Sequence, residues 1–460
     1  MKPRNALGVK ALSAAFAGHW GLGQGASDVL RAPPMTKRIL VLGSGGREHA
    51  LASRLLDCPG VEAVVVSPGN AGTTLAGLSN LKGDPLQVAR EFVPDLIVVG
   101  PDALVCDGLV DRLSEAGFLT YGPSAKAARL EGSKAFMKAF ATRWGIRTAR
   151  YVEVTGHEQL SEALAQFVEP PVVKASGLCA GKGVIVAESF DEARAAALQM
   201  LSGDAFGEAG KVVVLEERLY GAEVSVHAIC DGTRALVLPA ISDHKRIGEG
   251  DVGPNTGGMG TVGPAPIYTP ELARRVHSEM IERVLYGMQQ EGTPFKGTMF
   301  AGLMIQPSGE PILLEINVRF GDPETQVLMN LVDGDFAKLL ASAARGKLES
   351  EAVTIAERAG VCVVLASAGY PAAPRTGDVI SGLEAASELD SVRVYHAGTS
   401  RDPAGALVTA GGRVLGIVAT GASLAAARER AYEACALVRF EGMQLRRDIG
   451  QKQIDALVGR

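Results

Sequence analysis

The stretch "LLEINVRFGDPETQ", residues 313–326, sets an acid, an amide and a cation two residues apart, at Glu315, Asn317 and Arg319. Side chains two apart in an extended chain share a face, so all three project together from an otherwise core-like strand. An ionised carboxylate and an amide aligned there cost free energy unless something compensates them. Hard oxygen ligands one pleat apart suit Mg2+ bridging nucleotide phosphates, and Arg319 beside them suits a phosphoryl group in transfer. A purely structural polar network is the plainer alternative.

A second candidate is "KASGLCAGKGVIVA", residues 174–187. A P-loop requires GxxxxGK[ST] between a strand and a helix. Here three residues separate Gly177 from Gly181, Lys182 precedes Gly183, and the chain runs on into a strand. The stretch therefore reads as a glycine hairpin whose N–H groups can close over phosphates as a lid. Downstream, "LEERLYGAEVS" places Glu216, Glu217 and Glu223 where carboxylates accept from an adenine amino group or ribose hydroxyls. The long glycine-rich loop "DHKRIGEGDVGPNTGGMG", residues 243–260, carries Lys245 and Arg246, which can bind a carboxylate or phosphate; long ordered loops are usually functional. "GSGGREHA", residues 43–50, lies after a strand and opens a helix, so its N–H groups suit a sugar phosphate. Glu48 stands where a dinucleotide fingerprint wants its third glycine, and "VEAVVVSPGN" ends without the ribose-binding acid. That weakens a reading as an NAD-dependent dehydrogenase.

Positioning these groups requires several domains, since 460 residues exceed one ordinary core. From Arg38, apolar runs such as "RILVLG" and "PDLIVVG" alternate with helical stretches, which predicts a parallel, helix-covered sheet over residues 35–135. "SKAFMKAFATRWG" predicts a helix capped by Ser133, with Phe136, Phe140 and Trp144 on one face and Lys134 and Lys138 on another. Residues 136–355 form the next domain, with a compact insertion at about 150–220 built as strand, hairpin, helix and strand. Residues 356–460 are β-rich, with Gly411-Gly412 as a two-residue hairpin turn and a closing amphipathic helix at "SLAAARERAYEACALVRF". Residues 1–34 are acid-poor and fit a targeting leader, a disordered extension or a start placed upstream of Met35.

Bulk properties bound the partners. Net charge is −5, apolar residues are 47% and charged residues 21%, and no dense basic run marks a nucleic-acid binder. No apolar run of about 18 residues predicts a membrane span. Six scattered cysteines without paired spacing suit reduced thiols in the cytoplasm.

"LGSGGREHAL", "EGSKAFMKAF", "VVKASGLCAGKGVIVA", "DHKRIGEGDVGPNTGGMG", "EINVRFGDPETQ" and "EGMQLRRDIG" together make the chain resemble, over about residues 36–450, the phosphoribosylamine–glycine ligases (glycinamide ribonucleotide synthetases) of the ATP-grasp superfamily. The resemblance implies a mixed α/β and α+β multidomain fold: a Rossmann-like N domain, ATP-grasp A and B regions, and a C-terminal domain. It implies that ATP, glycine and 5-phosphoribosylamine give glycinamide ribonucleotide, ADP and phosphate in purine biosynthesis; a cytoplasmic monomer or weak oligomer is expected. It assigns Lys134 and Lys174 to ATP phosphates, Gly177, Gly181, Lys182 and Gly183 to their cover, Glu216, Glu217 and Leu219 to the adenine hinge, Glu223 to the ribose, and Glu315 and Asn317 to Mg2+ or Mn2+. Arg319, Lys245 and Arg246 are the catalytic candidates. Substrate candidates are Gly43, Gly45, Gly46, Arg47, Glu48, Asn70 and Asp102 from the first domain, and Asp243, Asn255, Thr256, Gly258 and Asp322 from the second.

The chain departs from the family pattern at Ser176, where aspartate is usual, and at Cys179, Asp102 and Leu104, without removing a metal ligand or a phosphate-binding lysine. The expected mechanism passes the γ-phosphoryl group to glycine's carboxylate, and the amine attacks the resulting glycyl phosphate under a lid that excludes water. Another ATP-grasp carboxylate–amine ligase or carboxylase is the nearest alternative, and an inactive nucleotide-binding protein a more distant one.

Overall fold

The computed structural model describes residues 36–179, 183–203 and 206–458. The leader expected over residues 1–34 and the lid residues Gly181 and Lys182 lie outside the described residues. No helix among the described residues is long and apolar enough to cross a membrane.

Apolar runs without alternation build the first sheet. The strands Arg38–Gly43, Ala63–Pro68 and Leu96–Val99 are buried along most of their length on both faces, as parallel strands covered by helices must be. They pair in parallel, with Ser79–Asn80 and Thr120–Tyr121 at the edges. Alternate residues of one strand feed different cores. Leu40 and Leu42 join a cluster with Val226, Met299 and Leu303, whereas Ile39 and Val41 join Ile241, Phe320 and Val364. The first sheet therefore shares its apolar contacts with the sheets that follow.

The second sheet is antiparallel, in the order Ala235–Val237, Ala222–Asp231, Lys296–Ile305, Pro311–Asn317. One face supplies Val224, Val226, Ala301, Leu303, Leu313 and Ile316 to the core. The register stacks three rows on the other: Glu223, Met304 and Ile312; Ser225, Gly302 and Glu315; His227, Phe300 and Asn317. The pairing slips at Leu314, since Gly302 pairs with Glu315 and Leu303 with Leu313. Strict alternation from Pro311 and Leu313 would turn Glu315 into the core. The extra residue re-aims it, and Glu315 and Asn317 both face outward.

The insertion folds on its own core, which includes Val154, Leu164, Val173, Ala197 and Val213. Its antiparallel sheet runs Tyr151–Val154, Val213–Glu216, Val172–Ala175, Val184–Val186, and the last two strands form the expected glycine hairpin. Ser189 caps the helix Phe190–Leu201 that covers it.

Three sequence expectations change toward the C-terminus. The last large sheet holds Ala359–Ala366, Arg413–Gly421 and Val392–His396, but also Ser242–Asp243 and Gly260–Gly263, so it draws strands from both sides of residue 355. Gly411-Gly412 is not a hairpin turn: Leu407–Thr409 pairs with Thr399–Arg401, and Arg413–Gly421 pairs elsewhere. The glycines serve a backbone crossing instead, since a Cβ on Gly398 would lie 2.6 Å from the Gly411 Cα. Finally, the helix Leu424–Cys435 is followed by another, Gln451–Val458.

Candidate active site

The outward rows of the second sheet floor a cavity of about 720 Å3, walled by the insertion on one side and by Arg47 and the last sheet on the other. At the insertion end, Ser133 caps the helix Lys134–Arg143 by accepting from the Phe136 N–H. The backbone N–H of Lys134 donates to the Ser176 carbonyl at 2.8 Å, and its Nζ donates to the Gly177 carbonyl at 3.3 Å. Lys174 ends its strand with Nζ 2.9 Å from Glu216 Oε2. Lys245 pairs with Glu223 at 2.8 Å.

Glu315 lies among these cations. Burial works to raise its carboxyl, but Lys245, Lys174 and Lys134 outweigh it and hold the group below its ordinary value. Asn317 Nδ2 lies 3.5 Å from Glu315 Oε1, and its Oδ1 accepts from Arg319 at 3.1 Å. An ionised carboxylate beside an amide oxygen is the donor chemistry of a hard divalent cation. Among the described residues no group of three or more His, Cys, Asp and Glu side chains could hold a metal. The pair therefore fits a cation that takes its remaining ligands from phosphate oxygens and water.

The other end of the cavity gathers Asp102, Asp243, Asp322, Glu324, Arg47 and Arg413. Asp322 accepts from the backbone N–H of Arg47 at 3.2 Å and from Gln326 at 2.9 Å, and lies 3.5 Å from Arg413. Burial pushes its carboxyl up, and Arg413 and Arg47 reverse that, leaving it lowered. Asp243 goes the other way: burial, then Glu324, pushes its carboxyl well above the ordinary value. Glu324, almost fully buried, accepts from Ser225 Oγ at 3.0 Å.

Several candidates take other positions than their residue types suggested. Arg246 turns away from the cavity and donates to the Gly253 carbonyl at 2.7 Å, because neighbours in an extended segment point oppositely, and Lys245 faces in. Asn70 has no free atom for a substrate: Oδ1 accepts from Gly72 and Thr73, and Nδ2 donates to the Ser44 and His396 carbonyls. Glu216 lines the cavity with Glu217 and Leu219, and its carboxylate is turned to Lys138 and Lys174. The Gly43–Glu48 turn is not a bare phosphate cradle, since the Gly45 N–H donates to Glu48 at 2.7 Å and the Arg47 N–H to Asp322. Gly43 and Gly46 leave room, respectively, for the Glu48 and Gln326 side chains. Gly258, at φ +109°, leaves room for Pro323 and Asp243. Gly177 packs against Ala209, whereas Gly183, Glu217, Leu219, Glu223, Asn255 and Thr256 line the cavity. Arg319 lines it too, with its guanidinium 3.0 Å from Glu131.

Lys138, Glu131, Glu324 and Arg413 were missed. Lys138, one helical turn beyond Lys134, is fully buried on Glu216. Its signal was a lysine on the inward side of an aromatic-rich helix. Arg413 follows the Gly411-Gly412 pair and reaches from the last sheet to the carbonyls of Asp322 and Gly257; no local pattern announces a contact across 91 residues.

This chain matches three family descriptions in succession: the phosphoribosylglycinamide synthetase N domain over residues 37–131, its ATP-grasp (A) domain over 132–325 and its C domain over 360–452. It is 46% identical over 425 residues to a phosphoribosylamine–glycine ligase of Xylella fastidiosa, covering 91% of this chain and 97% of that one. With the same enzyme of Xanthomonas axonopodis pv. citri the identity is 47% over 427 residues, covering 91% and 98%. The crystal structure of a phosphoribosylamine–glycine ligase from Thermotoga maritima superposes with a TM-score of 0.80 at 36% identity, covering 90% and 100%. A biotin carboxylase from Campylobacter jejuni shares the fold at 15% identity, with a TM-score of 0.70 over 89% of this chain and 93% of that one. The cavity thus lies in a chain that belongs to the phosphoribosylglycinamide synthetase (phosphoribosylamine–glycine ligase) family of the ATP-grasp fold.

Proposed function

We propose that this chain joins glycine to 5-phosphoribosylamine, converting ATP to ADP and phosphate and yielding glycinamide ribonucleotide for purine biosynthesis. The observation that carries the reading is the outward Glu315–Asn317 pair, set among Lys134, Lys174 and Lys245 at the base of the glycine hairpin. ATP lies between that hairpin and the second sheet, its adenine along Glu217–Leu219 and its phosphates on Lys134 and Lys174. Glu315 and Asn317 hold Mg2+ or Mn2+, which when bound neutralises phosphate oxygens.

In the first step a glycine carboxylate oxygen attacks the γ-phosphorus and the bond to ADP breaks, giving glycyl phosphate. Lys174 and Arg319 balance charge there, and such preorganised neutralisation is the main help phosphoryl transfer needs. The amine of phosphoribosylamine then attacks the acyl carbon and phosphate leaves. Glu324, beside the Asp243 carboxyl, is the carboxylate placed to take the proton that the amine loses. Closure of the hairpin keeps water from the acyl phosphate.

Release of ADP, followed by a coupled assay, is expected only when glycine and phosphoribosylamine are both present. Release that ignores either substrate sinks the assignment, and release driven by bicarbonate would move the chain toward the carboxylases that share its fold.

A further inference from the structure

Lys138 is 0% exposed. Its Nζ lies 2.7 Å from Glu216 Oε2 and 2.7 Å from Thr148 Oγ1, and the same Glu216 oxygen takes Lys174 at 2.9 Å. Thr148 Oγ1 passes its hydrogen to the Leu313 carbonyl at 2.7 Å, one residue before the unpaired Leu314 that turns Glu315 outward. A buried polar chain thus runs from Lys174 in the insertion, through Glu216, Lys138 and Thr148, to the strand that carries Glu315. Resting on the nucleotide site proposed above, we infer that Lys138 is a positioning residue for ATP: by sharing Glu216 with Lys174 and anchoring it through Thr148, it sets the spacing between the phosphate lysine and the cation-holding strand.

Stability alone does not account for this arrangement, since apolar side chains of similar volume usually serve a core as well as buried ions do. Glu216 Oε1 is buried without a partner, so both lysines compete for one oxygen and neither neutralises the carboxylate alone. Two ammonium groups on one carboxylate leave a surplus positive charge, and Lys174 is the one that lines the cavity. Without Lys138, Glu216 pairs one to one with Lys174 and withdraws that charge from the phosphates.

The test is direct ATP binding by calorimetry without the other substrates, so that its outcome stands apart from the identity of the acceptor. Lys138→Met is expected to raise the ATP dissociation constant about tenfold, in line with loss of a charge-assisted contact. KM for ATP should rise with it, while KM for glycine stays put. Lys138→Met combined with Glu216→Gln removes the carboxylate that would capture Lys174 and is expected to recover most of the affinity. Additive losses in the double variant, or unchanged ATP affinity in the single one, would overturn the inference. Should Lys138→Met fail to fold, Thr148→Val keeps the ion pairs and cuts only the link to Leu313. About threefold weaker ATP binding is expected there, the size of one neutral hydrogen bond, and unchanged binding overturns the proposal.

Discussion

The two ends of the cavity balance charge in different ways. At the insertion end, Lys134, Lys174 and Lys245 act on Glu315, whose carboxyl they pull down against its burial. At the far end, Asp243, Asp322 and Glu324 gather with Arg47 and Arg413, and one carboxyl is pulled down while another is pushed up. A triphosphate needs cations, and the first end supplies Lys134, whose Nζ donates to a carbonyl, beside Lys174, which shares its carboxylate with Lys138. An amino acid's ammonium group and an amino sugar need carboxylates and hydroxyl acceptors, and the second end offers those. Similar residue types thus do opposite work according to which sign is left over.

The sharpest way to break this contrast is Glu315→Ala. It removes a carboxylate that three lysines hold ionised against its burial, so turnover should fall about a hundredfold or more, roughly 3 kcal/mol of transition-state stabilisation. The melting temperature should hold, because Glu315 faces the cavity and not the core. ADP release measured at saturating Mg2+ checks it, and near-normal rates would remove the metal role from this residue.

How much of this was open to reading in the sequence differs between the ends. Alternation in "EIN" put Glu315 and Asn317 together correctly, since residues two apart share a face whatever precedes them. Which face that is depends on the bulge at Leu314, set by pairing with a strand that no local pattern reveals. The far end was harder. Arg413 and Asp322 lie 91 residues apart, and the sheet that carries Arg413 takes strands from both sides of an expected boundary. Asn70 and Arg246 show the opposite error. Polar residues in promising loops were assigned to chemistry, yet one caps a helix and holds two carbonyls while the other braces its own hairpin.

Arg413→Met sharpens the contrast from the far side. Asp322 keeps Arg47 but loses the larger of the two cationic influences on it, so KM for glycine or phosphoribosylamine should rise about tenfold, as for a weakened charge-assisted contact. ATP affinity should change little. The pH dependence follows from sign. In the parent protein the folded-state carboxyl of Asp322 titrates below its unfolded value, so its contribution to stability is present above the ordinary carboxylate range and lost as pH falls through the lowered value. With Arg413 gone, Arg47, Gln326 and the Arg47 N–H still favour the ionised form, but less strongly, so the folded-state carboxyl moves up and the ionised form loses stabilisation at neutral pH. The gap in melting temperature between parent and variant should therefore be widest near pH 7 and shrink as pH falls through the carboxylate range. A gap that widens in acid would show that Arg413 acts through some other group.

The smallest expected effect is at Ser176, which joins the hairpin to the helix of Lys134. Its Oγ accepts from the Ala135 N–H at 3.2 Å and lies 3.2 Å from Ser133 Oγ, the helix cap. Ser176→Asp would place a carboxylate at the same N–H, at the positive end of the helix, which favours it by about 0.5 kcal/mol. The same charge would stand close to Lys134 and oppose the approaching phosphates. The two effects nearly offset each other, so the variant should keep ATP affinity within about threefold, less than 1 kcal/mol, with a slightly higher melting temperature. A collapse in affinity would mean that the insertion end has no cation to spare, and that serine at 176 is part of how this chain holds its nucleotide.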